Sequence, residues 1–446
     1  MKLLNILYHK IQSPVFSLQF LQLLRFSTLF LISIAFAKSN YSIQEIGTYE
    51  KFIYFAGALS FFWTNGIIQG FLALFSKYNS NSEQNRLILN SVLISFVFSL
   101  FVAILVFILE KQLSLFFINS EKIPFRNLFI AYLIFSPVTY FVEYIYIVRK
   151  SYKNIYLYGI VSNLLLLILL VIPAFIFECF EYSIYGLIIA TFFRFIWLLF
   201  VLFKINVKSY YISIAYQLEI VKNSLPLILS AFIAGSIPYI DGLLVAYNYD
   251  ESIFAIFRYG SRELPISVLL ANAFSNAMIP ILGNSKTLSI TVNEIKSKSL
   301  KLIHVLFPIS MVLLTISHFL FYHLFNPLFV DGASVFNVMI LLVIPRMLFP
   351  QTILISQRKN KYTLIASVIE LIAKIIFSLW LMTIWGIVGI ALATFLAFLI
   401  EKIILVYFVY KNFSLKPKTF IPLNWLTFYS IILISLFLIV EYSKLF

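Results

Sequence analysis

Thirteen stretches of about eighteen to twenty-nine residues, each nearly free of charge, run through the 446-residue chain. They lie near 14–37, 50–75, 87–109, 126–148, 155–177, 183–203, 223–248, 254–282, 302–325, 333–356, 362–384, 386–409 and 424–441. A helix that crosses a bilayer needs about 20 mostly apolar residues. In hydrocarbon every backbone N–H and C=O must be bonded internally, so only helices and closed barrels span a membrane. Barrel strands are about 10 residues long and alternate in polarity, and these runs do neither. The sequence therefore predicts an all-α polytopic membrane protein. The run at 254–282 opens with charges, which moves its apolar part nearer Leu264, and the run at 424–441 is the shortest.

Composition agrees. Apolar residues make up 62% of the chain, charged residues 11%, and the mean hydropathy is +0.98. A soluble domain carries about 25% charged residues, and so few charges could not cover the surface of a chain this long. The net charge of +15 could suggest nucleic acid, but the basic residues are spread thinly over short loops. Topology control and attraction to anionic headgroups account for them.

Alternate connections differ sharply in basic residues. One side holds Lys2, Lys10, Lys77, Arg86, Arg149, Lys150, Lys153, Lys204, Lys208, Lys222, Lys286, Lys296, Lys298, Lys301, Arg358, Lys359, Lys361, Lys411, Lys416 and Lys418, which is 20 residues. The other holds 6: Lys38, Lys51, Lys111, Lys122, Arg126 and Lys444. The basic-rich side is expected in the cytoplasm, with the N-terminus inside and, if the thirteenth run crosses, the C-terminus outside. The first run ends in Ala35-Phe36-Ala37, which looks like a leader cleavage site. A leader has a 7–15-residue apolar core, whereas this run is about 24 residues long and contains Arg25, so it is read as a retained span. The single Cys179 leaves no internal disulfide and cannot make a metal site alone.

The longest polar connection, 205–222, falls after six spans and includes Ser209-Tyr210-Tyr211. It separates an N-terminal six-helix lobe (1–204) from a C-terminal six-helix lobe (223–411), followed by a tail (412–446) with the extra helix. The two parts echo each other. Tyr185-Gly186 and Ala190-Thr191 match Val388-Gly389 and Ala393-Thr394 at an offset of 203, and Arg149-Lys150 matches Arg358-Lys359 at 209. Two six-span halves that both start inside form a parallel repeat with its axis along the membrane normal.

With these elements the chain resembles an oligosaccharide flippase of the multidrug/oligosaccharidyl-lipid/polysaccharide (MOP) superfamily over about residues 14–410. The resemblance rests on the 6+6 layout, the aromatic-Gly to Ala-Thr opening of span six and its echo in span twelve. It also rests on Ile240-Asp241-Gly242, Ile256-Phe257-Arg258-Tyr259, Leu264-Pro265, Met278-Ile279-Pro280 and Phe329-Val330-Asp331-Gly332. A thirteenth span departs from the usual twelve or fourteen. The resemblance implies a V-shaped transporter with two lobes around an alternating cavity, in the inner membrane of a bacterium. It implies an undecaprenyl-pyrophosphate-linked glycan as substrate, and membrane lipids and other polysaccharide-assembly proteins as partners.

Charges inside spans cost several kcal/mol and usually face an aqueous cavity or a partner. The basic ones are Arg25, Arg194, Arg258, Arg262, Arg346 and Lys374; the acidic ones are Glu143, Asp241, Glu263 and Glu370. Glu401 and Lys402 lie near a span end, from which long side chains can snorkel. At 100° per residue, Arg258, Arg262, Asn272 and Asn276 share one face of span eight, and Gln19, Gln22 and Arg25 step along span one. Guanidinium forks bind phosphate oxygens bidentately. Arg25, Arg258, Arg262, Arg346, Lys374, Gln22 and Asn276 are therefore the candidate residues for a pyrophosphate-linked glycan, the alternative being interhelical ion pairs. Span seven carries Pro226, Gly235, Ser236, Pro238 and Asp241, so it should break its ladder and bend. Asp241 and Glu370 are candidates for coupling to Na⁺ or H⁺, unless Asp241 pairs with Arg258 or Arg262. No cofactor and no metal are expected.

Two other functions fit less well. A cation-coupled multidrug exporter of the same superfamily wants an acidic cavity, and the span charges here are basic in excess. A membrane glycan polymerase or glycosyltransferase wants catalytic carboxylates on a large outer loop, and the outer loops are short. No P-loop glycine motif is present to bind ATP.

Overall fold

The computed structural model describes residues 13–75, 77–205, 212–263, 265–283 and 288–443. Lys2, Lys10, Lys208, Ser209-Tyr210-Tyr211, Leu264, Lys286 and Lys444 lie outside them. Among the described residues the chain is helical and contains no strand.

The helices that matter below are α1 (Pro14–Lys38), α2 (Ile43–Phe75), α3 (Asn81–Ile108), α4 (Glu110–Ile118), α5 (Arg126–Thr139), α6 (Phe141–Val148), α7 (Tyr152–Ile172) and α8 (Phe180–Lys204). Then follow α9 (Ile214–Gly235), α10 (Ile237–Asn248), α11 (Glu251–Gly260), α12 (Pro265–Gly283) and α13 (Leu288–Thr315). The remainder are α14 (Gly332–Leu341), α15 (Val343–Arg346), α16 (Pro350–Ser356), α17 (Asn360–Phe413) and α18 (Leu423–Ser443). Ten described helices are long and apolar enough to cross a membrane, or up to 12 with two bent pairs counted as spans. One of the ten, α17, is two helices joined across Trp385 and Gly386. Gly386 has φ 55° and ψ −133°, a conformation essentially open to glycine alone, and this lets spans eleven and twelve turn with almost no loop. Divided there, the structure supplies a counterpart for each of the thirteen expected spans.

The predicted break in span seven is present. α9 and α10 meet at Ser236 with a bend of 54°. Span ten bends by 47° between Arg346 and Pro350, next to Pro345 and Pro350, neither of which can donate to the helix ladder.

Two expectations need correction. The segment 205–222 is not a polar linker throughout, because α9 starts at Ile214. Ile220 is fully buried while Leu218 is exposed, so Gln217, Glu219 and Lys222 occupy turns of an amphipathic helix start. Span eight is not one helix either. α11 stops at Gly260 and α12 begins at Pro265; a proline at that position has no N–H with which to continue the ladder of a preceding helix. The apolar part of that span runs from Ile266 to Gly283, close to the expected start at Leu264.

Residues 1–255 form one compact unit and 256–446 another. Span seven belongs to the first because α9 packs along α2. A Cβ at Gly66 would lie 2.3 Å from the Ile228 side chain, and one at Gly70 would lie 2.1 Å from Ser224 Oγ. Small residues four apart allow such close helix crossings in lipid. In the second unit α18 packs on α13, and α17 on α14 and α16.

The internal echoes have a structural basis. α6 ends with Lys150 left-handed at φ 54°, and α16 ends with Arg358 at φ 56°. Ser151 N donates to Tyr146 O at 2.8 Å and Lys150 N to Ile147 O at 2.9 Å; Lys359 N donates to Leu354 O at 2.8 Å and Arg358 N to Ile355 O at 3.0 Å. These are two copies of one Schellman cap, and they correct the register: Lys150 corresponds to Arg358, an offset of 208 rather than 209. The 203 offset also recurs, since Thr191 Oγ1 donates to Leu187 O and Thr394 Oγ1 to Ile390 O.

Candidate functional site

Each compact unit buries its own set of charges. In the N-terminal unit the Arg25 guanidinium of α1 is paired with the Glu143 carboxylate of α6. It also lies 5.0 Å from the centre of the Tyr140 ring, a cation–π distance. Their side chains are 30% and 3% exposed, respectively. Arg194 of α8 donates to Ser162 O of α7 at 3.4 Å. Tyr158 lies in the electrostatic field of both arginines. Two guanidiniums, one of them paired with a carboxylate, therefore lie near the same phenol. Gln22, one turn before Arg25, is exposed. Asp241 is buried on α10, where the Tyr54 hydroxyl donates to Tyr239 O at 3.0 Å.

The C-terminal unit holds a denser network. Arg346 at the end of α15 pairs with Glu263, which sits in the gap between α11 and α12, and lies 5.2 Å from the Phe398 ring. Lys402 is 2.9 Å from Glu401, donates to Gln351 and lies 4.5 Å from the other contact of Arg346, the Phe398 ring. Lys374 is fully buried and donates across the Trp385–Gly386 turn to Thr394 Oγ1 and to Ile390 O. Glu370 is buried and feels Glu401, Lys402, Lys374 and Arg346 together. Three cations and three carboxylates therefore interleave on spans eight, ten, eleven and twelve.

The structure brings together Arg346, Lys374 and Glu370 among the expected site residues, and it separately joins Arg25 to Glu143. It does not place Arg258, Arg262, Asn272 and Asn276 on one helical face. The helix stops at Gly260, so 100° steps cannot be carried from Arg258 to Asn276. Arg258 lies on α11, with Arg262 just beyond it and 5.1 Å from the Tyr259 ring; that ring stacks on Phe329 at 4.7 Å. Asn276 is exposed on α12.

Glu401 and Lys402 do not snorkel. They are 8% and 2% exposed, because the second arm of α17 continues to Phe413 and places them well inside it. Sequence position near the end of the apolar run hid them, as it hid Gln351. Adding both leaves the excess of positive charge as it was and locates it. The N-terminal unit has Arg25 and Arg194 against Glu143 and Asp241. The C-terminal unit has Arg258, Arg262, Arg346, Lys374 and Lys402 against Glu263, Glu370, Glu401 and, near the end of α18, Glu441, an excess of one.

Charged groups at the centre of a spanning helix cost about 2.5–3.5 kcal/mol each on insertion scales. Pairing offsets much of that, and buried pairs lose stability when only one partner is removed. The arrangement can thus hold anions on its guanidiniums, or exchange a proton or cation within the interleaved set. No group of three or more His, Cys, Asp or Glu side chains that could hold a metal occurs among the described residues.

Comparison with known proteins bears on the fold. Residues 284–444 match a family described as polysaccharide biosynthesis protein. No curated protein matches the chain in sequence. A lipid II flippase, MurJ, in an inward-closed conformation superposes with a TM-score of 0.66 at 18% identity, over 97% of this chain and 100% of that one. An inward-facing multidrug-resistance MATE transporter of the MOP superfamily gives 0.62 at 12% identity, over 88% and 98%. A mutant of the Vibrio cholerae MATE transporter VcmN gives 0.53 at 15% identity, over 91% and 95%.

Proposed function

Taking the chain as a polytopic membrane protein with the MOP-superfamily fold, we propose that it flips an undecaprenyl-pyrophosphate-linked oligosaccharide from the cytoplasmic to the periplasmic leaflet by alternating access. Its product would feed a surface polysaccharide such as an O-antigen, a capsule or an exopolysaccharide. The observation that carries this choice is the match of residues 284–444, within the C-terminal unit, to a polysaccharide biosynthesis family.

The chemistry is consistent. A pyrophosphate in low dielectric needs several charge-assisted hydrogen bonds. Arg25, Arg258, Arg262, Arg346 and Lys374 are the groups that would supply them, with Gln22 and Asn276 for sugar hydroxyls. The helix breaks at Ser236 and at Met347–Phe349 supply hinge points of the sort transporters use. Asp241 on the broken helix and Glu370 in the interleaved network are the groups that would couple the cycle to Na⁺ or H⁺.

A multidrug exporter shares the fold but favours cationic cargo, which the basic excess opposes. Deleting the gene in a cell without a second flippase tests the proposal. Lipid-linked oligosaccharide should accumulate on the cytoplasmic leaflet. Undiminished delivery to the outer leaflet would rule the proposal out.

A further inference from the structure

A cavity of about 760 Å³ opens in the N-terminal unit where α6 ends and α7 begins, against the start of α3 and the end of α8. The positive-inside expectation puts this end in the cytoplasm. Its polar wall carries Arg149, Lys204, Asn81, Asn85 and Asn154, and among the described residues no carboxylate lines it. Its other wall is apolar, with Leu157, Trp197 and Phe200. Leu157 and Phe200 are 53% and 66% exposed, so they offer an open apolar surface beside the polar wall.

The charge in this cavity is uncompensated. The Arg149 guanidinium donates to Asn81 Oδ1 at 3.3 Å, to Gln84 Oε1 at 3.1 Å and to Asn85 Oδ1, and lies 5.8 Å from the Phe75 ring. All of these partners are neutral. Among the described residues the Lys204 ammonium has no hydrogen bond or ion pair. α7 starts at the same place, and its N-cap Ser151 makes no side-chain cap bond, so first-turn amides and the positive end of the helix dipole add to the field. Burial lowers the Arg149 pKa with no carboxylate raising it. The corresponding cap in the second half puts Gln357 where Arg149 stands, so the cationic cavity is not a by-product of the repeat.

We propose that this cavity binds the headgroup of an anionic glycerophospholipid from the surrounding leaflet, its phosphate on Arg149 and Lys204 and its chains along Leu157 and Phe200. Basic pockets between helices on the cytoplasmic side are suited to such headgroups. A free phosphate or the pyrophosphate of a lipid-linked cargo offers the same anionic chemistry. The exposed apolar wall favours a resident lipid over a soluble anion, and the competition arm of the test below separates it from cargo. The site goes beyond the transport proposal and stands whether or not the cargo is a glycan.

The test uses the full-length chain in mild detergent and follows its melting temperature with short-chain phosphatidylglycerol, phosphatidylcholine, inorganic phosphate and undecaprenyl pyrophosphate. Phosphatidylglycerol should raise the melting temperature where phosphatidylcholine and inorganic phosphate do not. Lys204→Gln should weaken the apparent affinity severalfold, and Lys204→Glu with Asn154→Asp at least tenfold, with the lipid-free melting temperature unchanged. Neither Lys204 nor Asn154 makes a side-chain contact that holds the fold among the described residues, so these variants should fold. Equal shifts from the two phospholipids, or wild-type affinity in the double variant, would overturn the proposal. So would an equal effect of inorganic phosphate, which would make the site one for soluble anions. Displacement of phosphatidylglycerol by undecaprenyl pyrophosphate, lost in the same variants, would assign the cavity to cargo.

Discussion

Arg25 can be an ion-pair partner, a cargo ligand or both, and the burial of its pair separates these roles. Glu143 is 3% exposed and Arg25 is 30% exposed. Arg25→Ala leaves a carboxylate deep in the protein with no cation, and removing one partner of a buried pair costs about 3–5 kcal/mol. Glu143→Gln leaves a partly exposed guanidinium that keeps the Tyr140 face, which should cost about 1.5–3 kcal/mol, as for a hydrogen bond to a charged group. The double variant Arg25→Ala/Glu143→Gln removes both charges and should recover most of the loss. Melting of detergent-purified protein gives the stability order, and a leaflet-accessibility assay at matched expression gives transport. A cargo role predicts that the double variant is folded yet transport-deficient by roughly tenfold or more, since about 1.4 kcal/mol is a factor of ten. Normal transport in the double variant would make Arg25 structural. Equal destabilisation by the two single changes would refute the burial argument itself.

Other consequences can be checked more simply. Lys402→Met should reduce accumulation of folded protein, because it strands buried Glu401, and adding Glu401→Gln should restore it; a silent Lys402→Met would return Lys402 to a solvent-reaching position. Gly186→Val should destabilise the α7–α8 hairpin, since even a Cβ there would sit 2.1 Å from Leu169 O, and a wild-type melting curve would contradict that contact. A reporter fused after Phe446 should report the periplasm, and a cytoplasmic signal would remove one span from the thirteen. Asp241→Asn should alter the dependence of transport on Na⁺ or pH gradients; an unchanged dependence would exclude Asp241 from coupling.

The spans were legible because bilayer thickness imposes a length on every one of them, whatever the tertiary contacts. The bend in span seven was legible too, since Gly235, Ser236 and Pro238 weaken one turn of helix. Pairing was not. Glu143 and Arg25 are 118 positions apart, and Glu263 and Arg346 are 83 apart, so nothing in local spacing joins them. The span-eight face failed because a periodicity argument assumes an unbroken helix, and the chain is interrupted between Gly260 and Pro265. Lys402 was misplaced because hydropathy marks the edge of an apolar run and not the end of the helix, which goes on to Phe413. The 208 register of the repeat became visible only through two matching helix caps, since Arg149-Lys150 is identical to Arg358-Lys359 one position away, at 209.

The central claim is leaflet-to-leaflet movement of an anionic lipid-linked glycan. The most direct measurement reconstitutes the purified chain in liposomes with undecaprenyl-pyrophosphate-linked oligosaccharide in both leaflets and follows how much becomes accessible to an impermeant lectin or glycosidase. The account predicts that accessibility rises from about half to nearly complete, only when the protein is present, and that Arg25→Ala/Glu143→Gln slows the rise. Accessibility that stays at the level of protein-free liposomes, under imposed Na⁺ and H⁺ gradients of either direction, would contradict it.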